Sequence, residues 1–115
     1  MIDENLIELL GTFGYPVLRQ GSMTYDQKYP DTFFTFWNNI QVEHSAYDNN
    51  TSNITYDFDV NVYSNDTEKV FELLESARNL LKSNNWIIEE MGYDVASDEI
   101  THIGKGMRVI YLHQL

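Results

Sequence analysis

Two aspartates two residues apart are the side chains whose types and spacing could perform chemistry. Asp57 and Asp59 lie in residues 54–63, ITYDFDVNVY, where apolar and polar residues alternate. This alternation predicts a strand, and it places both carboxylates on the same strand face. A carboxylate pair can carry out acid–base catalysis or hold a divalent cation. The pattern therefore has two interpretations, a reactive pair or a polar sheet surface.

The neighbours of the two aspartates favour the second interpretation. Thr55, Asn61 and Tyr63 share their face, which carries neither histidine nor lysine in this stretch. One polar, outward-facing side is the usual property of an alternating antiparallel strand. We therefore predict a contact face or channel face formed by Thr55, Asp57, Asp59 and Asn61. In an isolated chain we expect this face to be open to solvent, because the apolar face is needed by the helix that follows.

The other reactive residue types show no arrangement for a metal or a cofactor. The chain has no cysteine, and its three histidines, His44, His102 and His113, do not have metal-site spacing. The GKG stretch at residues 104–106 precedes a predicted strand, so we expect a tight turn or bulge rather than a phosphate loop. We expect no metal, no cofactor and no enzymatic activity. A small hydrolase that uses the aspartate pair remains an alternative.

Composition and charge narrow the class of protein. A length of 115 residues predicts one domain, residues 1–115, and 43% hydrophobic residues are typical of a globular chain. The net charge is −11 and the seven basic residues do not cluster, so we expect no sequence-specific nucleic-acid binding. An acidic binding module that mimics nucleic acid is a further alternative, although the acidic residues are dispersed.

We expect a soluble protein made inside the cell, with no membrane partner. The chain contains no apolar run near the roughly 20 residues that span a bilayer. Its first residues, MIDENLIELLG, contain two acidic residues and no basic signal region.

The elements that would position the aspartates follow from the spacing of apolar residues. Asp3 to Leu10 predicts a short helix, and Thr67 to about Lys82 predicts a long one. The long helix has an apolar stripe of Val70, Leu74, Ala77 and Leu81, which is broadened by Phe71, Leu73 and Leu80. The predicted strands are Thr32–Trp37, Ile40–His44 after a turn at Asn38-Asn39, Ile54–Tyr63, Trp86–Val95 with a break near Gly92, and Gly106–Leu115.

This element order predicts an α+β fold. We expect a mainly antiparallel sheet, with one long helix packed on one face and a short N-terminal helix. The closing strand is apolar on both faces and therefore suits the interior of the sheet.

One stretch predicts a flexible loop that could bind a partner. His44 to Asn53 consists mostly of turn-forming residues. Mobile polar loops commonly become ordered on binding. The candidate docking residues are His44, Tyr47, Asp48, Asn49 and Asn50.

Surplus aromatic residues provide a second candidate for contact. Tyr25, Tyr29, Trp37 and Tyr47 lie in or near predicted loops and strand ends. Tyrosine and tryptophan supply contact area at low entropic cost. Small sheets also use aromatic residues in their cores, so both interpretations stay open.

Several stretches together resemble a family of small phage proteins. These stretches are TFGYPVLRQG, YPDTFFTFWNN, DFDVNVYSND and GYDVASDEITHIGKGMRVIYL. They resemble the tail-terminator and tail-completion (tail-to-head joining) proteins of siphophages and prophages of Gram-positive bacteria, over residues 13–112.

The resemblance implies a virion structural protein of the tail or neck, made in the bacterial cytoplasm. It implies a ring, often of six copies, that caps the tail tube, stops its growth and docks to the head–tail connector. The implied partners are further copies of this chain, the tail tube protein and the connector. Another connector component, such as a stopper, is the nearest alternative.

Overall fold

A computed structural model describes residues 2–20, 30–45, 51–97 and 99–114. Two helices and five strands follow in the order α1, β1, β2, β3, α2, β4, β5. Their bounds are α1 Ile2–Gly11, β1 Val17–Arg19, β2 Thr32–Ser45, β3 Thr51–Ser64, α2 Thr67–Ser83, β4 Trp86–Val95 and β5 Ile103–Gln114.

The strands form one mainly antiparallel sheet. Their order across the sheet is β1-β2-β3-β5-β4, and only β1 and β2 are parallel neighbours. The predicted α+β class, with a short N-terminal helix and a longer helix on the sheet, is confirmed. The closing strand β5 lies between β3 and β4, as its two apolar faces predicted.

Both helices pack on the same face of the sheet. The stripe of α2 predicted from helical spacing is buried, together with Leu6 and Leu10 of α1. These side chains pack on sheet residues that share one face: Phe34, Phe36, Phe58, Val60, Val62, Met107 and Val109. At the start of α2, the Asp66 carboxylate accepts a hydrogen bond from the Glu68 backbone N–H at 3.1 Å, which caps the helix.

The predicted turn at Asn38-Asn39 is wrong. β2 continues from Thr32 through Ser45, and the pairing with β3 shifts by one residue between Asn38 and Ile40. Such a shift is a β-bulge, which absorbs one extra residue without ending the strand. Pairing with the long strand β3 therefore outweighs the turn preference of the two asparagines.

The predicted loop at residues 44–53 is too long. His44 pairs with Asn53, and Ser45 pairs with Thr51, so both ends of the predicted loop belong to a hairpin. Asn53 also pairs with Gln114 of β5, so a third strand supports this end of the sheet. Tyr47, Asp48, Asn49 and Asn50 lie outside the described residues, and their docking role stays a prediction.

The GKG stretch does not form a turn or a bulge. Residues 104–106 lie inside β5 and pair in register with β3, from Tyr63 opposite Gly104 to Asn61 opposite Gly106. Among the described residues, neither helix is both long enough and apolar enough to span a membrane.

Candidate functional site

The face of the sheet opposite the helices carries the aspartates predicted from sequence, and we call it the far face. Residues that pair directly across antiparallel strands lie on the same face, so the strand registers define its members. They include Thr35 and Trp37 of β2, Thr55, Asp57, Asp59, Asn61 and Tyr63 of β3, Gly104, Gly106, Arg108, Ile110 and Leu112 of β5, and Ile87, Glu90 and Tyr93 of β4. Neither α1 nor α2 packs on this face.

Asp57 forms a charged pair with Arg108 near the centre of the far face. The Arg108 Nε donates to Asp57 Oδ2 at 2.9 Å and to Oδ1 at 3.1 Å, and Nη2 also contacts Oδ2. Asn39, at the β2 bulge, donates from Nδ2 to Oδ1 at 3.2 Å. Only 3% of Asp57 is exposed. These donors, above all Arg108, lower the pKa of the Asp57 carboxyl, although burial opposes them.

Asp59 has a different partner, Tyr93 of the edge strand β4. The Tyr93 hydroxyl donates to Asp59 Oδ1 at 3.2 Å. Burial of the ring and the negative charge of Asp59 both raise the pKa of the Tyr93 hydroxyl. The ring lies over Gly106, where a Cβ atom would sit only 2.6 Å from Tyr93 Cε2. Gly106 therefore makes room for the tyrosine that binds Asp59.

Asn61 is buried in a group of uncharged polar side chains. Its Nδ2 donates to Thr35 Oγ1 and to Gln20 Oε1, both at 3.3 Å. Its Oδ1 is also buried and has no hydrogen-bond partner within the described part of the chain. Thr55, the last of the four predicted face residues, is half-buried.

The orientation of the predicted face agrees with the structure, but its expected exposure is wrong. Asp57 and Asn61 are buried within a single chain. The physical reason is that a charge or amide in a sheet surface can be covered once its hydrogen bonds are satisfied. Arg108 of β5 and Asn39 of β2 satisfy the Asp57 carboxylate, and Thr35 of β2 together with Gln20 accepts from the Asn61 amide. Residues of β2 and β5 also flank Asp57 and Asn61 on the same face.

Arg108 is the residue that sequence reasoning missed. In the closing strand it alternates with Met107 and Val109, and therefore shares a face with Ile110 and Leu112. That alternation could have predicted that Arg108 lies on the opposite face of the strand from Met107 and Val109. Its contact with Asp57 also required the antiparallel pairing of β3 with β5, which joins residues 51 positions apart.

The geometry does not join Asp57 and Asp59 into a reactive pair. Each carboxylate is bound to a different partner, and both oxygens of Asp57 accept hydrogen bonds from Arg108. A carboxylate with a lowered pKa is a weak general base near neutral pH. Nowhere in residues 2–20, 30–45, 51–97 and 99–114 do three His, Asp or Glu side chains form a group that could hold a metal ion. The hydrolase alternative gains no support from this site.

The far face also exposes apolar side chains around the charged pair. Trp37 is 50% exposed and Ile87 is 52% exposed, with Leu112 similarly exposed and Ile110 half-buried. Of the aromatic residues predicted to form contact surface, Trp37 is therefore available, while Tyr25, Tyr29 and Tyr47 lie outside the described residues. Exposed apolar groups gathered on one face are typical of an interaction surface.

A separate cavity lies on the helix side of the sheet. Its volume is about 350 Å³, and it is lined by Ile2, Asn5, Tyr56, Tyr111 and His113. Among the described residues that line this cavity, one is a histidine and none is acidic.

No protein-family model matches this sequence, and no curated protein matches it. The far face is therefore interpreted from its own residues.

Proposed function

We propose that this protein is a structural component of a phage head–tail joint, where copies of it assemble into a ring that caps the tail tube. The ring stops tube growth and docks to the head–tail connector. The proposal combines the sequence resemblance to tail-terminator and tail-completion proteins with the properties of the far face.

The observation that carries the proposal is a sheet face with exposed apolar side chains around one charged pair. Arg108 and Asp57 neutralise each other within one chain. Trp37, Ile87 and Leu112 remain exposed around this pair. Burying Asp57 and Arg108 against a partner keeps them paired with each other, which lowers the cost of covering them. A face of this kind supports assembly.

The pairing of Asp57 with Arg108 bears on whether the far face is a contact face or a channel face. A channel lining that repels DNA phosphates requires unpaired negative charge close to the DNA. Asp57 has no such unpaired charge, because Arg108 lies against it, whereas Asp59 and Glu90 have no cationic partner among the described residues. Because exposed apolar side chains surround the central pair, we assign the far face to contact between proteins, and not to the channel.

Deletion of the gene from its phage tests the proposal. We expect filled heads together with unjoined or overlong tails, and joining should return when the purified protein is added. Overlong tails would support the tail-capping role, whereas unjoined tails of normal length would support a role in joining that the connector-stopper alternative shares. Normal, joined virions would contradict a role in the joint.

Point variants test whether the far face carries this role. Trp37→Glu places a charge on the far face, whereas Ile7→Glu places the same charge on an exposed apolar position of α1. We expect joining to fail with the first variant and to persist with the second. Deletion of residues 46–50 separately tests the predicted docking loop, since its loss should block docking while leaving the ring intact.

A further inference from the structure

The cavity on the helix side of the sheet combines aromatic, aliphatic and polar lining residues. Tyr56 of β3 and Tyr111 of β5 pair directly across the sheet, so both side chains rise from the same face and form an aromatic wall. Ile2 and Asn5 of α1 line the cavity from the helix above this face. His113 lies two residues after Tyr111, on the same face of β5.

The aromatic wall is supported by the core. Trp86 of β4 pairs with Tyr111, and the centres of their rings lie 5.1 Å apart. Trp86 is only 3% exposed and also packs edge-on against Phe58. Tyr56 and Tyr111 themselves are half-buried and pack against the core. The wall is therefore formed before any ligand arrives, which lowers the entropic cost of binding.

The polar side chains that line the cavity have unused hydrogen-bonding capacity. Asn5, Tyr56, Tyr111 and His113 form no side-chain hydrogen bond with another described residue. Two hydroxyls, a carboxamide and an imidazole provide both donors and acceptors. The described lining contains no lysine and no arginine, and the whole chain has a net charge of −11, which repels anions. These groups therefore suit an uncharged polar ligand.

We propose that this cavity binds one uncharged sugar ring. A pyranose has an apolar face of C–H groups that packs on an aromatic ring, and its hydroxyl groups both donate and accept hydrogen bonds. The cavity provides the matching combination, since its hydrogen-bonding groups come from both the sheet and α1. Its volume of about 350 Å³ lies at the small end of the range of about 300–1,000 Å³ that is usual for ligand pockets.

A nucleobase fits the cavity less well than a sugar. Nucleobases bind proteins by stacking on aromatic side chains, and a base enclosed in a pocket stacks on both of its flat faces. The two tyrosines lie on one wall, whereas the apolar residue that α1 contributes is the aliphatic Ile2. A ring with one apolar face and hydroxyl groups around its rim agrees better with this lining.

Trp86 provides a reporter for the cavity, because its ring contacts Tyr111. The chain has two tryptophans, and Trp37→Phe removes the other one, which lies on the far face. In an NMR titration of this variant, we expect the remaining indole N–H signal to shift saturably with the methyl glycoside of glucose, galactose or N-acetylglucosamine. For a ligand of this size, the dissociation constant should be on the order of 1 mM.

Variants of the lining residues show whether the sugar binds in the cavity. Asn5→Ala removes a polar lining group at an exposed position of α1, and Asn79→Ala makes the same change at an exposed position of α2 as a matched control. We expect Asn5→Ala to weaken glycoside binding several-fold and Asn79→Ala to leave it unchanged. Tyr56→Ala should abolish the shift of the indole signal, while unchanged dispersion of the other signals shows that this variant is folded.

Three results would overturn the proposal. The first is no saturable shift with any of the three glycosides, and the second is equal glycoside affinity of Asn5→Ala and Asn79→Ala. The third is tighter binding of adenosine or uridine than of every glycoside, because the cavity would then select a flat heteroaromatic ring. None of these results bears on the phage deletion experiment, so sugar binding and the role in the head–tail joint fail separately.

Discussion

At the scale of single residues, the central feature is a buried carboxylate on an otherwise uncovered sheet face. Asp57 accepts hydrogen bonds from Arg108 and Asn39 while almost fully buried. Alternation in the sequence placed Asp57 on the correct face. It could not reveal the burial, because both partners come from other strands and one of them lies at a bulge that the sequence did not predict.

Replacing Asp57 should lower stability in a manner that depends on pH. Because the folded-state pKa of Asp57 lies below the ordinary value of 3.8 for an aspartate, its stabilising contribution is fully present above that value. The contribution is lost as the pH falls through the folded-state pKa. We expect Asp57→Asn to lower the free energy of unfolding by about 1–3 kcal/mol near neutral pH. The difference in unfolding free energy between wild type and Asp57→Asn should become smaller below about pH 4.

Urea unfolding between about pH 7 and about pH 3 measures this effect. Asp59→Asn is the control, since Asp59 is less buried and its partner is an uncharged hydroxyl. If Asp57→Asn lowered the free energy of unfolding equally at both pH values, Asp57 would act through packing and not through its charge.

Gly106 provides a second test at the residue scale. An added methyl group at this position would collide with Tyr93 and with the Asn61 side chain. We expect Gly106→Ala to destabilise the protein by about 1–3 kcal/mol, the usual cost of overpacking. Gly11→Ala is the control, because an added Cβ there meets no atom within 4 Å. Equal unfolding free energies for the two variants would contradict the packing of Tyr93 over Gly106.

At the scale of elements, β3, α2 and β4 were predictable from the sequence, whereas β2 was not. β3 and α2 were correctly predicted because each keeps one period over ten or more residues. The sequence predicts two strands in place of β2, because Asn38-Asn39 is a common turn pair. Only the pairing with β3 shows that one strand continues through these two residues. Phe71 has the helical spacing of the core residues of α2 but lies at the edge of the buried stripe. The sequence alone does not show where the sheet covers the helix, and so it could not separate Phe71 from the core.

The packing of α2 can be tested at its centre. Leu74 lies in the core against the sheet. We expect Leu74→Ala to reduce the free energy of unfolding by about 2–5 kcal/mol, because it leaves a cavity. Phe71→Ala on the same helix should cost about 0.5 kcal/mol or less, as expected for a surface position. Chemical denaturation of both variants provides the comparison, and a loss below about 0.5 kcal/mol at Leu74 would mean that the buried face of α2 is assigned incorrectly.

At the scale of the whole molecule, the net charge of −11 opposes association between copies. Long-range repulsion of this kind is screened by salt, since the Debye length falls from about 30 Å at 0.01 M to about 8 Å at 0.15 M. The proposed contact through the far face depends mostly on the burial of exposed apolar side chains such as Trp37 and Ile87. Salt should therefore weaken the repulsion more than it weakens the contact.

We accordingly expect self-association to strengthen as salt rises from about 0.01 M to about 0.15 M. Light scattering at several protein concentrations measures the association constant at each salt concentration. Glu8→Lys changes the net charge from −11 to −9 at an exposed position of α1, on the other side of the sheet from the far face. This variant should associate more strongly than wild type at low salt, and its association should depend less on salt. If association instead weakened steadily with added salt, ion pairs and not apolar side chains would dominate the contact, and the roles of Trp37 and Ile87 would be wrong.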